Sequence, residues 1–161
     1  KISSYLGIRD LENKSLSYNN SKLYCMFNHE FNKRLSSTFS IQSEIINSEN
    51  LQENELLFFG GTNTLKGFLE DEMKANYYNI FSIQTNYKLD ERMLSSLFFQ
   101  KSVFKNSTIS DQINYPSSVG SGIEIKNNNS IIYLQYAIGI SSNQTFNIQN
   151  GIIHIGVKNT F

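Results

Sequence analysis

The sequence predicts an all-β chain, an antiparallel transmembrane β-barrel wall of about eight strands. Three observations carry that reading. Apolar and polar residues alternate with a period of two over stretches of about ten residues, near the 9–11 that cross a bilayer at a tilt and longer than the 5–6 usual in soluble sheets. Aromatic residues gather toward the strand ends, at Tyr5, Phe31, Tyr77, Tyr78, Phe104 and Phe161, where membrane-interface girdles belong. The polar faces are rich in Gln, Ser, Asn and Thr, which suits a wet lumen. A soluble all-β domain, whose apolar faces would meet each other, is the alternative.

The strands follow in chain order. "KISSYLGIRDL" sends Ile2, Leu6 and Ile8 to one face, and "KLYCMFNHEF" sends Leu23, Cys25, Phe27 and Phe31, with His29 interrupting. "RLSSTFSIQSEI" sets Leu35, Phe39, Ile41 and Ile45 against Ser36, Thr38, Ser40, Gln42 and Glu44. A long loop, about 49–76, comes next. "YNIFSIQTNYKL" opposes Phe81, Ile83, Tyr87 and Leu89 to Ile80, Ser82, Gln84, Asn86 and Lys88. "LSSLFFQKSVF" contributes Leu97, Phe99 and Val103, and "SVGSGIEIK" contributes Ile123 and Ile125. "SIIYLQYAIGI" alternates from Ile132 to Ile140, and "GIIHIGVKNTF" places Ile153, Ile155, Val157 and Phe161 together. Asn-, Ser-, Lys- and Glu-rich turns separate them, and no composition shift marks a boundary, so residues 1–161 read as one domain.

Composition excludes several classes. Lys plus Arg and Asp plus Glu are both 14, so the chain lacks the basic footprint of a nucleic-acid binder. The single cysteine, Cys25, rules out a disulfide framework within the chain and reads as a small apolar wall residue. The chain starts at Lys1, which reads as a mature product or a fragment. "FFGGTNTLKGF" lacks the Gly-Lys-Ser/Thr ending of a phosphate loop. "SVGSG" is not the Gly-x-Ser-x-Gly of a nucleophile elbow, and it sits within a strand. Two histidines, His29 and His154, with one cysteine make no metal cluster; His154 reads as a polar bystander on the lumenal face. Glu70, Asp71 and Glu72 read as a solvated acidic face rather than a cation site. No catalytic, metal or cofactor site is expected.

The chain ends on Phe161, preceded at alternate positions by Val157, Ile155 and Ile153. That ending resembles the sorting signal of bacterial outer-membrane barrels, although Asn159 stands where an apolar residue is usual. "FFGGTNTLKGF" is similar to the glycine-pair and Val/Leu-Arg-Gly-Phe/Tyr signature of the BamA-type surface-antigen superfamily, here Gly60, Gly61, Leu65, Lys66, Gly67 and Phe68. "GSGIEIKNNNSIIYLQYAIGI" is similar to that family's late strands, so the resemblance spans the C-terminal barrel half. It implies a non-enzymatic component that inserts or exports polypeptides in the bacterial outer membrane. It also implies that the loop folds into the lumen and meets an inner-wall motif, matched here by Phe98, Gln100 and Ser102. Lys66 replaces the expected Arg and Gln100 the expected Asp, so a single ammonium bonded to the Gln100 carbonyl is expected in place of an ion pair.

The loop sets the size of the barrel. An eight-stranded barrel holds only its own side chains, so a lumenal loop requires a wider wall of about sixteen strands. The rest of the wall would come from the same protein or a second chain, including a homodimer. The implied partners are outer-membrane lipid and unfolded outer-membrane or exported proteins. The alternatives are an anchor or pore barrel of a fusion, such as a patatin-like lipase, and a small self-dimerising barrel.

Overall fold

A computed structural model describes residues 2–11, 14–48, 51–107, 110–127 and 129–159, with the backbone alone at residues 2, 4–18, 110 and 111. The strands are β1 (Ile2–Leu11), β2 (Lys14–Glu30), β3 (Leu35–Ser48), β4 (Leu57–Phe59), β5 (Met73–Ala75), β6 (Tyr77–Lys88), β7 (Met93–Asn106), β8 (Ser110–Asn114), β9 (Ser117–Asn127), β10 (Ser130–Ile140) and β11 (Ile152–Asn159). The main sheet runs β1-β2-β3-β6-β7-β9-β10-β11, with β8 pairing the end of β7, and every pair is antiparallel. Eight strands lie on that path, as the alternation predicts. Among the described residues β1 and β11 do not pair, so the sheet is open at both edges. An antiparallel path of even length leaves its two edge strands running in opposite directions.

Long strands follow from long uninterrupted alternation. β2 has 17 residues and β3 and β7 have 14 each. Two short turns at one end use the same device. Asn32 Oδ1 accepts the N–H groups of Arg34 and Leu35, both at 2.9 Å, and Asp90 Oδ1 accepts those of Arg92 and Met93, both at 2.7 Å. Asx residues form such turns by standing in for a backbone carbonyl. The first turn takes Phe31 out of the strand predicted for it.

The register aligns the apolar positions into rows. Phe27, Phe39, Ile83, Phe99, Val119 and Ile138 lie side by side across six strands. The neighbouring row is Cys25, Ile41, Phe81, Lys101, Ser117 and Ile140. This outer face leaves Phe27 63 %, Leu97 66 % and Ile155 73 % exposed. Two polar pairs on this face bond across strands: Ser37 Oγ meets Thr85 Oγ1 at 3.1 Å, and Ser43 Oγ donates to Asn79 Oδ1 at 2.6 Å.

The core lies on the other, inner face. Ile46, Leu57, Phe59, Leu65, Phe68, Ala75, Tyr78 and Ile80 pack together there, joining the loop to β3 and β6. Burying each large side chain stabilises by about 1.5–3 kcal/mol, so this cluster is what ties the loop to the wall. Two aromatics expected at a girdle belong to it instead. Tyr78 stacks on Phe59 at 4.6 Å between centroids, and Phe104 meets Phe59 edge-on at 5.1 Å. The reason is parity, because Tyr78 and Phe104 are paired with each other on the inward side of β6 and β7. Tyr77, one residue away, points outward. The side chain of Tyr5 and all of Phe161 lie outside the described residues.

Candidate functional site

The loop after β3 is built on its own backbone before it touches the wall. Gly60, Gly61 and Gly67 have φ of 122°, 87° and 80°, conformations that a side chain disfavours. Thr64 closes the first turn: its Oγ1 accepts the Gly60 N–H at 2.7 Å and donates to the Gly60 carbonyl at 2.8 Å. The acidic run closes the second. Glu70 Oε1 accepts the Thr62 N–H and Glu72 Oε2 accepts the Leu69 N–H, both at 2.7 Å. The run is exposed, as the sequence suggests, and it also knits the loop, with two of its carboxylates capping backbone N–H groups. Below it, β4 and β5 pair as a two-stranded ribbon inside the segment read as plain loop.

The loop meets the wall at Gln100 on β7. Gln100 Oε1 accepts the backbone N–H of Lys66 at 2.9 Å, and its Nε2 donates to the Thr64 carbonyl at 3.1 Å. Ser118 Oγ on β9 donates to the same Oε1 at 3.4 Å. The pairing expected of Lys66 and Gln100 is real, but the atoms differ. The ammonium does not bond the Gln100 carbonyl. A primary amide offers both a donor and an acceptor, matching a peptide N–H and C=O two residues apart, whereas an ammonium can only donate. A carboxylate at position 100 could not donate to Thr64 at all.

The Lys66 ammonium lies instead over the Phe98 ring, 4.6 Å from its centroid. The ring lies against Gly120, where an added Cβ would collide with it and come within 2.9 Å of Ala137 Cα. Burial pushes the Lys66 ammonium down from its ordinary 10.5 to about 8; Lys158 pushes the same way and Glu124 pulls it back up. Of the wall residues predicted from the sequence, Phe98 and Gln100 thus contact the loop. Ser102 is buried in the same row of β7, but its hydroxyl has no partner among the described residues.

Two contacts were not expected. Gly67 lies on Gly139 of β10: a Cβ on Gly67 would come within 2.6 Å of the Gly139 nitrogen, and one on Gly139 within 2.8 Å of the Phe68 ring. So the wall glycine that admits the loop is Gly139, while Gly120 and Gly122 make room for neighbouring side chains. His154, read as a bystander, holds the loop from β11. Its Nε2 accepts the Gly67 N–H at 3.3 Å, and its Nδ1 lies 3.0 Å from Thr62 Oγ1. An amide N–H only donates, which makes Nε2 the acceptor and leaves the proton on Nδ1, directed at Thr62. The loop is therefore tied to β3, β6, β7, β10 and β11, strands that are not all neighbours.

Beside these contacts a polar cavity of about 390 Å³ separates the loop from the wall, lined among others by Lys66, Gln100, Glu124, Gln135 and Lys158. No group of three or more His, Cys, Asp or Glu side chains suited to a metal occurs among the described residues. Ile153, Ile155 and Val157, the described part of the expected terminal signal, lie on the outer face of the edge strand β11. No helix is long and apolar enough to cross a membrane, which says nothing of strands. No family model matches this chain, and no curated protein is detectably similar to it.

Proposed function

We propose that the chain is part of the wall of a bacterial outer-membrane β-barrel of the BamA type, acting in the insertion or export of polypeptides. One observation carries the membrane part of this reading: the large apolar side chains of the outer face, Phe27, Phe39, Phe81, Phe99, Leu134 and Ile155 among them, are left uncovered, while the polar face carries the packed loop. A soluble sandwich would put its core on the apolar face. Hydrocarbon chains are the covering that such a face fits, and the cross-strand pairs Ser37–Thr85 and Ser43–Asn79 suit a solvent that offers no hydrogen bonds.

The action is physical rather than chemical. In lipid, the free edges of β1 and β11 need partner strands, supplied by the rest of the same protein or by a second chain. An edge that pairs with a client strand is the device by which such a wall passes or templates a polypeptide. The loop braces the wall through Leu65, Phe68, Gln100 and His154. The same brace serves a plain anchor or pore, such as the barrel of a lipase fusion, and activity toward clients separates the two.

The test has two stages. The purified chain is examined by light scattering with and without detergent; a monodisperse particle in plain buffer refutes the membrane reading. Cysteines are then placed singly at outward positions of β11, such as Val157, and cross-linked in membranes during synthesis of a defined outer-membrane protein. Adducts with that client support insertion, and their absence while the barrel assembles normally favours the anchor.

A further inference from the structure

We infer that the cavity between the loop and the inner wall binds a small oxyanion that also carries a hydroxyl group, a hydroxy-carboxylate or a phosphate, with its charge between Lys66 and Lys158 and its hydroxyl at Gln135. The inference goes beyond the membrane reading and does not depend on it.

The cavity encloses about 390 Å³. That falls within the roughly 300–1,000 Å³ of small-molecule sites, and it far exceeds the roughly 30 Å³ that one water takes up. Hydroxyls and amides dominate its lining, so an apolar occupant would displace their water without replacing its bonds. Loop and wall each supply a part: Lys66 comes from the loop, and Glu124, Tyr133, Gln135 and Lys158 come from β9, β10 and β11.

The charges in this lining are unmatched. The Lys66 ammonium lies over the Phe98 ring at 4.6 Å, and the Lys158 ammonium over the Tyr133 ring at 5.1 Å. A ring face attracts an ammonium but leaves N–H donors for another acceptor. Glu124 is the carboxylate of the lining, and it forms no ion pair with either lysine among the described residues. Two ammonium groups against one carboxylate leave one positive charge in surplus. The lysines also repel, since Lys158 helps to push Lys66 down. An anion between them relieves that repulsion.

Gln135 is the second, independent observation. It is only 6 % exposed, it lines the cavity, and its Oε1 has no partner among the described residues. It stands two residues from Tyr133 on the same face of β10, next to the ring that carries Lys158. A carbonyl oxygen accepts, so whatever meets it must donate; whatever meets two ammonium groups must accept. Water does both but brings no charge, and a simple carboxylate brings charge but no donor. An oxyanion with a hydroxyl supplies all three. Because Lys66 belongs to the loop and Lys158 and Gln135 to the wall, such an occupant ties the two together.

The test follows trypsin cleavage after Lys66 in the purified chain in detergent, with Lys33, exposed in the turn between β2 and β3, as the reference. Lactate, propionate, inorganic phosphate and chloride are compared at matched ionic strength. A ligand of the docked loop at ten times its Kd should slow this cleavage by about elevenfold. Lactate should bind about fivefold tighter than propionate, from which it differs by one hydroxyl. Gln135→Leu should erase that difference, and Lys158→Gln should weaken lactate, propionate and phosphate alike. Phosphate binding above lactate assigns phosphate-bearing ligands and the reverse assigns hydroxy acids, and either supports the site. Chloride protecting as well as lactate marks mere screening, and a lactate preference that survives Gln135→Leu marks a water at the amide; either result overturns the site, as does protection by none of the oxyanions. The membrane reading stands or falls separately, on light scattering.

Discussion

Gln100→Ala removes the clasp between loop and wall and leaves both of its backbone partners without the bonds they had. The Lys66 N–H and the Thr64 carbonyl each lose a partner at 2.9 and 3.1 Å. An abandoned buried donor or acceptor costs about 1–3 kcal/mol. The polar cavity beside the clasp lets water reach one side, so the lower part of the combined range applies, about 2–3 kcal/mol. At about 1.4 kcal/mol per tenfold, the undocked fraction of the loop should rise by roughly 30- to 150-fold. Trypsin reads this directly. Cleavage after Lys66 requires the loop to leave the wall, whereas Lys33, exposed in the turn between β2 and β3, serves as the internal reference. Gln100→Glu keeps the acceptor for Lys66 and loses the donor to Thr64, so its cleavage rate should fall between those of the parent and Gln100→Ala. An unchanged rate after Lys66 in Gln100→Ala, with the sheet intact by circular dichroism, refutes the amide clasp.

Four further outcomes follow from the same geometry. Ser102→Ala should leave loop cleavage and thermal stability within about 0.5 kcal/mol of the parent, because its hydroxyl bonds nothing described; a large loss of stability would reveal a partner. Gly67→Ala should undock the loop by about 1–3 kcal/mol, through φ of 80° and the approach to Gly139, measured by the same proteolysis. His154→Ala should speed hydrogen exchange at the Gly67 amide by about tenfold or more, and unchanged exchange would remove His154 from the brace. For Lys66, a folded value near 8 below an ordinary 10.5 means that the undocked loop binds more protons between those limits. Docking should therefore strengthen as pH rises from about 8 to 10.5 and be flat below, and Lys66→Met should abolish the slope.

The parts of the fold that were legible in the sequence are those written in single strands. Alternation from Ile132 to Ile140 states which side chains share a face without reference to any other segment. Where alternation ran continuously, strand existence and facing followed. Proximity to a strand end was a poorer guide than parity, as Tyr78 and Phe104 demonstrate by joining Phe59 on the inward side. The short strand β8 escaped because Ser110–Asn114 has no pattern of its own and is ordered by the end of β7. At the site, the match of Lys66 to Gln100 was readable as two positions but not as atoms: only the arrangement reveals that the amide pairs with the peptide and the ammonium with a ring. The roles of His154 and Gly139 depend on where a loop rooted at β3 and β6 reaches across to β10 and β11. No residue near either of them announces that crossing.

The parity of the main sheet constrains whatever completes it. With eight strands on the path, one rim runs up and the other down, so any supplement must itself contain an even number of strands to join both rims head-to-tail. Two such sheets related by a half-turn about the sheet's long strand direction meet this rule and keep their loop-bearing ends on one side; two related by a half-turn perpendicular to it also pair antiparallel but put those ends on opposite sides. For a ring paired antiparallel throughout, a gene duplication, a fusion or a rotational pair would each serve, and an odd insertion would force one parallel pair.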